Sequence, residues 1–503
     1  MDQSRSAQSS FKQGFPLIAL LLALAAMPAC GGGSGNFIKP GPGPNNAMLN
    51  GQYAFAFSGE NSNLSLIIAA GSFTADGNGH ISNGLEDVTV AGSPGQSLTF
   101  SGTYSIGSDG RGTALINTSN GTVNWQFTLL NSSHALLIRF DVGAVTASGT
   151  IDKQDPTAFS TAKVQGKYVF GLSGAGSSGG ALATAGIWTM DGAGTISNGV
   201  VDVNDLNAGV LPNSTLSGTY SVASNGRGTA TVTTSGYVTQ NFVFYVVDAT
   251  DLKFVETDGI PAASGEVLQA AAPYTLASLN GGLAFTLGGV DRLSLSPTAA
   301  GGVITADGNG SLPSGLLDIN DGGVTAIGSS ISGTYSFDPT GRGIVNLASS
   351  APGNLQFAIY PAQNRTIEMV EIDLSATMSG MAEAQTGVPF GLTTIAGPFA
   401  VNFTGVLNPV SGSTEEDITG QLNANGSGNL SGTLDINTLA TRTQGAPLAN
   451  SSYTMAANGR GTAVINIPNA TFNMQTYQID ASTVLFLDVD TFRVLTGVIQ
   501  KQQ

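Results

Sequence analysis

Apolar and polar residues alternate along most of this chain of 503 residues. Tyr53, Phe55 and Phe57 occupy every second position, and the same alternation returns further along, for instance at Val123 and Trp125. A period of two places successive side chains on opposite faces of a strand, so it indicates β-strands with one buried face. No segment of the sequence sustains the period of 3.6 residues that a helix needs. The pattern predicts eight strands between about residues 51 and 153.

The predicted strand pattern belongs to a unit that occurs four times. GSFTADGNGHISNGLEDV begins at Gly71 and SGTYSIGSDGRGTA at Ser101, and related phrases follow three more times. The arginines of the Gly-Arg-Gly step are 116, 115 and 118 residues apart, which matches a whole small domain. We therefore predict four repeats, at residues 48–154, 164–269, 279–385 and 395–503.

Short turns connect the predicted strands. Asp76-Gly-Asn-Gly79 and Asp109-Gly-Arg-Gly112 both suit hairpins, because Asp caps the turn and Gly supplies a positive φ. Eight strands connected in this way form an antiparallel meander, which can close into an up-and-down barrel without free edges. The fold class predicted is all-β, with four tandem eight-stranded barrels; a β-sandwich is the alternative. The short linkers favour a stiff rod of four beads.

The N-terminal residues indicate export. Residues 1–29 combine a basic start with an apolar run from Phe15 to Ala26, typical of a secretory signal peptide and too short to span a bilayer. Ala29-Cys30 resembles the lipobox of bacterial lipoproteins, although Met27 and Pro28 depart from it. The resemblance implies a lipid on Cys30, a tether over residues 30–47 and sorting to the outer membrane. Plain secretion with an unmodified Cys30 is the alternative.

The charge of the chain limits its partners. Seventeen basic and 33 acidic residues give a net charge of -16. A surface this acidic repels phosphate backbones, so we expect no nucleic-acid partner.

Three charged positions recur with the repeat. The Gly-Arg-Gly turn carries arginine in every copy, which turn geometry alone does not require, and an aspartate precedes it in every copy. We predict a structural role in which each arginine bridges a carboxylate of its own copy at a barrel end: this upstream aspartate, or a third recurring one such as Asp141. The arginines are Arg111, Arg227, Arg342 and Arg460, and the upstream aspartates are Asp87, Asp202, Asp318 and Asp435.

The first strand of each copy suggests a second interpretation. Gly51-Gln-Tyr53 resembles the Gly-x-Trp of lipocalins, which pair a first-strand aromatic with an arginine across the barrel floor. The third copy departs from this pattern with Leu283 and the fourth with Phe399. The resemblance implies a small apolar ligand inside the barrels. The alternative is a barrel filled by its own side chains.

Catalysis has little support in the sequence. His80 and His134, the two histidines, both lie in the first copy, so a Ser-His-Asp site would leave three copies without a base. The turn at Asp76 resembles part of a calcium loop, but Leu85 stands where the final acid is needed. We expect no catalytic residue, no metal and no cofactor.

The repeated phrases themselves resemble a family. TADGNG, SGTYS and GRGTA, in this order, are similar to those of bacterial cell-envelope lipoproteins built of tandem all-β repeats. This resemblance implies architecture and location. We expect a structural or adhesive surface array whose partner is a cell-surface or extracellular polymer or protein. Lipocalin-like binding of small apolar ligands is the alternative.

Overall fold

The computed structural model describes residues 43–141, 143–271, 274–351, 353–410 and 412–503. The predicted signal peptide, Cys30 and most of the tether lie outside these residues. Within the described ranges, no helix has the length and apolar character needed to cross a membrane.

Each copy folds into a closed antiparallel barrel of eight strands. In barrels 1 to 3 every strand pairs with the next one along the chain, and the last strand pairs with the first. In barrel 4 the sequence between Asn429 and Met455 forms three strands, β27 to β29. Pairing of β26 with β27 closes this barrel, and β28 lies outside the closed ring of eight. The predicted all-β fold of four eight-stranded barrels is confirmed, and the sandwich alternative is wrong.

The strands of barrels 1 and 2 are 6 to 14 residues long. Barrel 1 contains β1 (Asn50–Asn61), β2 (Leu66–Asp76), β3 (His80–Val90), β4 (Gln96–Ile106), β5 (Arg111–Thr118), β6 (Gly121–Leu129), β7 (His134–Asp141) and β8 (Val145–Lys153). Barrel 2 contains β9 (Gln165–Ala175), β10 (Ala181–Asp191), β11 (Thr195–Asp205), β12 (Gly209–Val222), β13 (Arg227–Thr234), β14 (Thr239–Asp248), β15 (Asp251–Glu256) and β16 (Ala262–Gln269).

Barrels 3 and 4 follow the same order. Barrel 3 contains β17 (Asn280–Asp291), β18 (Pro297–Asp307), β19 (Ser311–Asp321), β20 (Val324–Phe337), β21 (Gly343–Ser349), β22 (Leu355–Pro361), β23 (Thr366–Glu371) and β24 (Ala376–Ala384). Barrel 4 contains β25 (Ala396–Leu407), β26 (Thr414–Asn425), β27 (Asn429–Asn437), β28 (Arg442–Pro447), β29 (Ser451–Met455), β30 (Arg460–Ile467), β31 (Ala470–Gln478), β32 (Thr483–Asp488) and β33 (Arg493–Lys501).

A single-turn 3₁₀ helix covers one end of each barrel, which we call the linker end. The tyrosine of the SGTYS phrase, which reads SSYTM in the fourth copy, fixes this helix, because its hydroxyl donates to a backbone carbonyl at the helix end. In barrel 1, Tyr104 donates to Leu49 at 2.7 Å. The equivalent bonds run from Tyr220 to Val164, from Tyr335 to Leu279 and from Tyr453 to Ile395. The 3₁₀ helices are Asn46–Met48, Pro156–Ala158, Thr161–Lys163, Leu276–Ser278 and Leu392–Thr394.

The opposite end of each barrel, which we call the hairpin end, carries the connections after its first, third, fifth and seventh strands. At every contact between barrels, linker end meets linker end and hairpin end meets hairpin end. At linker ends, for example, Gln385 donates to the carbonyl of Asn458 at 3.0 Å, joining barrels 3 and 4. At hairpin ends, Gly92 donates to the carbonyl of Gly259 at 3.1 Å, joining barrels 1 and 2. The four barrels therefore stand side by side with equivalent ends on the same side.

The barrels form a closed ring. Barrel 4 contacts barrel 3 through its last three strands and barrel 1 through β25 to β27. Gln502 of barrel 4 donates to Asp109 and Leu129 of barrel 1, at 3.0 and 2.8 Å. Each barrel thus packs its last strands against the first strands of the preceding barrel, and barrel 1 packs against barrel 4 in the same manner. The expectation of a rod is wrong, because it treated the copies as joined only by their linkers.

Candidate functional site: the seams and the interior of barrel 3

The recurring arginines lie where adjacent barrels meet, at contacts that we call seams. Each arginine follows a tight turn in which a glycine adopts a positive φ, 83° at Gly226. The Asn225 side chain accepts from the Arg227 amide at 3.2 Å and orders this turn. Arg227 then projects from the start of its strand toward barrel 1. Turn and strand together aim the guanidinium at the neighbouring barrel.

Each arginine binds the recurring aspartate of the preceding copy. Arg227 donates Nε and Nη2 to Asp87 at 2.7 and 2.8 Å. Arg342 binds Asp202 in the same bidentate way, at 2.7 and 2.6 Å. Arg460 binds Asp318 at 2.8 and 2.7 Å. The predicted pairing within a copy is therefore wrong: the residues match the prediction, but each pair joins two barrels.

A tyrosine completes three of the four pairs. Tyr245, which lies opposite Arg227 on the next strand, donates its hydroxyl to Asp87 at 2.6 Å. Tyr360 donates to Asp202, and Tyr477 to Asp318 at 2.9 Å. Burial raises the pKa of Tyr245, and the adjacent Asp87 carboxylate raises it further, so this hydroxyl stays a donor.

The seam between barrels 4 and 1, the closing seam, differs. Arg111 makes one bond to Asp435, from Nη1 at 3.1 Å, and turns its Nε to Asp109 at 2.8 Å. Thr128 stands opposite Arg111, in the place of the tyrosine. Burial raises the pKa of Asp435 against the opposing effect of Arg111. The arginine–aspartate bridge is therefore the weakest of the four at this seam.

The pKa of Asp87 shows the combined effect of the side chains that donate hydrogen bonds to it. Burial raises the pKa of Asp87, but hydrogen bonds from Arg227, Ser97 and Tyr245 outweigh it, so the pKa lies below its ordinary value. This carboxylate is 2% exposed and ionised. A buried carboxylate with three hydrogen-bonding partners indicates a structural role.

The residue two positions after each aspartate forms a second seam contact, which the sequence analysis missed. Asn204 donates Nδ2 to the carbonyl of Glu371 at 2.8 Å. Asn320 donates to Asp488, Asn437 donates to Arg139, and the hydroxyl of Thr89 donates to Glu256, at 2.9, 2.9 and 2.7 Å. All four acceptors lie at or near the end of the seventh strand of the neighbouring barrel. The recurring Asp-x-Asn or Asp-x-Thr was the signal in the sequence.

The two histidines have unrelated surroundings. His80 lies in an exposed turn, where Asp76 accepts from the amides of Asn78 and His80 at 2.7 and 3.0 Å. These bonds, first that from the His80 amide, lower the pKa of Asp76 to about 2. Bonds of this kind define an Asx-type hairpin turn. The turn geometry therefore accounts for an aspartate at position 76, and no bound cation is needed to explain it.

His134 belongs to a cluster of charged side chains at the seam between barrels 1 and 2. It hydrogen-bonds Asp152, which also binds Nζ of Lys253 at 2.8 Å. The same Nζ contacts Glu266 at 3.0 Å. Lys253 is 1% exposed and has its pKa raised well above the ordinary value, because the neighbouring carboxylates outweigh burial. The cluster is therefore a buried ion-pair network that joins barrels 1 and 2.

The barrel interiors differ in how they are filled. In barrel 1 a cluster of aromatic rings fills the centre, with the centroids of Phe55 and Trp125 4.9 Å apart. In barrel 2, Phe170 stacks on Trp188 at 4.3 Å. Ile304 of barrel 3 occupies the repeat position that holds Phe73 in barrel 1 and Trp188 in barrel 2, so barrel 3 has no aromatic ring there. Two of the four barrels are thus packed with large aromatic rings, as the filled-barrel alternative expects.

Barrel 3 contains a cavity of about 270 Å³. Apolar side chains line its deeper part, among them Leu287, Ala300 and Phe357, and it reaches the surface beside the exposed Val324 at the hairpin end. A second void of about 40 Å³ continues below it, sharing Phe357 and Phe285 with the larger cavity. An engineered apolar cavity of about 150 Å³ accepts benzene, so the space suits a small organic molecule.

A small cross-strand pair lines the cavity. Leu287 and Ala300 face each other across β17 and β18. The equivalent pairs are Phe57 with Ala69 in barrel 1, Leu172 with Thr184 in barrel 2, and Phe403 with Ile418 in barrel 4. Which two residues face each other could not be derived from the repeat alone, because it depends on the register between the strands.

The lipocalin resemblance is not borne out in its details. The arginine expected across the barrel floor contacts the neighbouring barrel instead. The first-strand Tyr53 donates its hydroxyl to the carbonyl of Ser132 at 2.8 Å.

Comparisons with known proteins do not assign this chain to a family. No protein family profile matches the chain, and no curated protein is similar to it in sequence. Among solved structures, a mutant of the vaccine antigen transferrin binding protein B from Haemophilus parasuis has 11% identity and a TM-score of 0.19, over 73% of this chain and 83% of that one. Transferrin binding protein B from Neisseria meningitidis has 10% identity and a TM-score of 0.20, with the same coverage. Scores this low support no inference about function.

Proposed function

We propose that the protein is a binding protein of the cell envelope, rather than an enzyme, that holds a small apolar molecule in barrel 3. The observation that carries this proposal is the cavity itself, which is large enough for an organic ligand and predominantly apolar. This develops the lipocalin-like alternative of the sequence analysis, but for one barrel instead of four.

The ring supports the proposal by fixing the rim of the cavity. Arg292, in the first hairpin of barrel 3, donates to the carbonyls of Leu206 and Asp205 in barrel 2, both at 2.9 Å. On the other side, Asn320 donates to the carbonyls of Asp488 and Arg493 in barrel 4. A pocket whose walls are fixed before binding loses less conformational entropy when it is occupied.

The proposed location follows from the same arrangement. Asn45, near the end of the proposed tether, donates its amide to the carbonyl of Ile106 at the linker end of barrel 1. The described part of the chain therefore begins at the linker end of barrel 1, and we propose a lipid on Cys30 and an outer-membrane location upstream of it. The cavity of barrel 3 opens on the opposite side.

A second candidate is the structural or adhesive array expected from the sequence, with a cell-surface or extracellular polymer or protein as partner. It is favoured by apolar side chains exposed at the hairpin end of barrel 3, where Leu293 is 95% and Leu374 68% exposed. Exposed apolar patches mark interaction sites on soluble proteins.

Native mass spectrometry of residues 43–503, purified under mild conditions, discriminates between the two candidates. We expect an additional mass that is released on denaturation, because the cavity of barrel 3 has space for a small organic molecule. The double variant Leu287→Phe, Ala300→Ile copies the barrel 4 pair, fills the cavity, and should lose that mass.

The control is the thermal stability of the filled variant, which should equal or exceed that of the original chain. A mass that persists in this variant, or a chain without any bound mass that also binds no added apolar compound, would contradict the proposal and favour the array.

A further inference from the structure

A buried carboxyl group faces the cavity of barrel 3. Glu371, the last residue of β23, is 1% exposed and lines the cavity. Its Oε1 accepts from the hydroxyl of Ser375 at 2.6 Å. Its Oε2 is buried and has no hydrogen-bonding partner in the described structure. A buried polar atom without a partner is destabilising, so it marks a place where a ligand group fits.

The equivalent carboxyl groups lie in different surroundings. Glu256 of barrel 2 accepts at Oε2 from Gln240 and from the amide of Ala263, both at 3.1 Å, in an interior filled by aromatic rings. In barrel 1 the position is Arg139, which binds Asp141 at 2.7 Å. Oε1 of Glu256 and, at the equivalent position of barrel 4, Oδ2 of Asp488 are also buried without a partner. Of these three carboxyl groups, Glu371 is the one that lines the cavity of barrel 3. Glu256, a buried carboxyl group away from this cavity, is therefore a matched control.

The other charges at the cavity are also acidic. Asp291 and Asp321 line it near the hairpin end. Burial, together with Asp291, raises the pKa of Asp321. None of the described lining residues is basic. Arg292, which follows Asp291 in the chain, directs its guanidinium to acceptors in barrel 2. The field inside the cavity thus favours a positively charged group.

The rim of the cavity is apolar. Besides Leu293 and Leu374, the exposed side chains there include Val324 at 76% and Leu295 at 64%. A ligand would therefore meet an apolar rim first, then carboxylates, then the apolar interior. This order suits an amphiphile with one polar group and a short hydrocarbon chain.

We propose that barrel 3 binds a small hydrophobic amine, whose ammonium group pairs with Glu371 and whose hydrocarbon tail fills the cavity. The inference rests on the proposed ligand-binding function and specifies its ligand class. From the volume, we expect a ligand of about ten non-hydrogen atoms. The ammonium donates to Oε2 of Glu371, and the charge pair is shielded from solvent.

Binding of an amine should release a proton. The pKa of Glu371 is raised to about 8, mainly by burial. The hydrogen bond from Ser375 lowers this pKa, the charge of Asp373 raises it, and the charge of Arg292 lowers it. The carboxyl group is therefore mostly protonated at pH 7, and an ammonium ion bound to it favours the ionised form. We expect release of close to one proton per ligand at pH 7 and almost none at pH 9.5.

The test compares three probes with the same eight-carbon tail, namely octylamine, octanol and octanoate, by calorimetry on residues 43–503. We expect octylamine to bind at least about tenfold more tightly than octanol, and octanoate to bind most weakly. Glu371→Gln should weaken octylamine about tenfold and change octanol less than about twofold. Glu256→Gln should change neither.

The outcomes separate the two proposals. Equal binding of octylamine and octanol, unaffected by Glu371→Gln, would overturn the amine inference and leave the ligand-binding function standing. Failure of every probe to bind would contradict both. Both proposals would be supported if the original chain prefers octylamine and the variant Leu287→Phe, Ala300→Ile binds none of the probes.

The release of protons on binding is measured by repeating the calorimetry in two buffers of different ionisation enthalpy.

Discussion

Asp202→Ala should reduce the free energy of unfolding by about 3–5 kcal/mol, the range seen when one partner of a buried ion pair is removed. Asp202 is fully buried, and Arg342 has a side chain that is 9% exposed. The substitution leaves this guanidinium without its bidentate acceptor, and it also removes the acceptor of the Tyr360 hydroxyl and of the Asn213 amide. Denaturant unfolding followed by tryptophan fluorescence measures the loss.

Asp435→Ala provides the matched control at the closing seam. Arg111 keeps its contact with Asp109, and its side chain is 24% exposed, so solvent replaces part of the lost interaction. We expect a loss of about 1–2 kcal/mol. Equal losses in the two variants would contradict this account, because they would show that the bidentate bridge with its tyrosine stabilises the fold no more than the single bond at the closing seam.

The stability of the protein should fall as the pH rises from 6 to 9. Burial raises the pKa of Glu256, Glu371 and Asp488 to about 8. In the unfolded chain these groups titrate near pH 4, so between these values the folded protein binds more protons. Their stabilising effect is complete below about pH 4 and is lost as the pH rises through about 8. Each contributes a slope on the order of 1 kcal/mol per pH unit.

The triple variant Glu256→Gln, Glu371→Gln, Asp488→Asn should reduce this dependence; part of it remains, because burial also raises the pKa of Glu368 to about 8 and that of Asp417 to about 7. The control changes three turn aspartates, Asp76, Asp191 and Asp307, to asparagine. Hydrogen bonds from backbone amides lower the pKa of all three, so they titrate only in acid. Melting temperatures between pH 6 and pH 9 measure both variants. An unchanged slope in the triple variant would contradict the assignment.

The sequence predicts the barrels well because each barrel depends on local information. Alternation fixes which side chains face inward, and the turns at Asp76 and Asp109 fix which strands are neighbours. The SGTYS phrase was recognised as a repeat, but its role in holding the 3₁₀ helix is visible only when Tyr104 and Leu49 are brought together in space.

The ring could not be predicted from one copy at a time. Arg227 and Asp87 recur visibly, but the choice between a partner in the same copy and one in the preceding copy depends on how the barrels pack. The cavity could not be predicted either, because Leu287 and Ala300 look like ordinary strand residues in the sequence, and only the register places them opposite each other. Glu371 was missed because a single acid at the end of an apolar strand has no distinctive spacing.

The closed ring is the central claim, and small-angle X-ray scattering of residues 43–503 tests it most directly. Four barrels packed side by side form one compact body, for which chain length gives a radius of gyration of about 23 Å. Four such barrels arranged end to end would exceed about 30 Å. A value near the first figure, with a symmetric distance distribution, is the predicted result; a value above 30 Å with a long tail would contradict the ring.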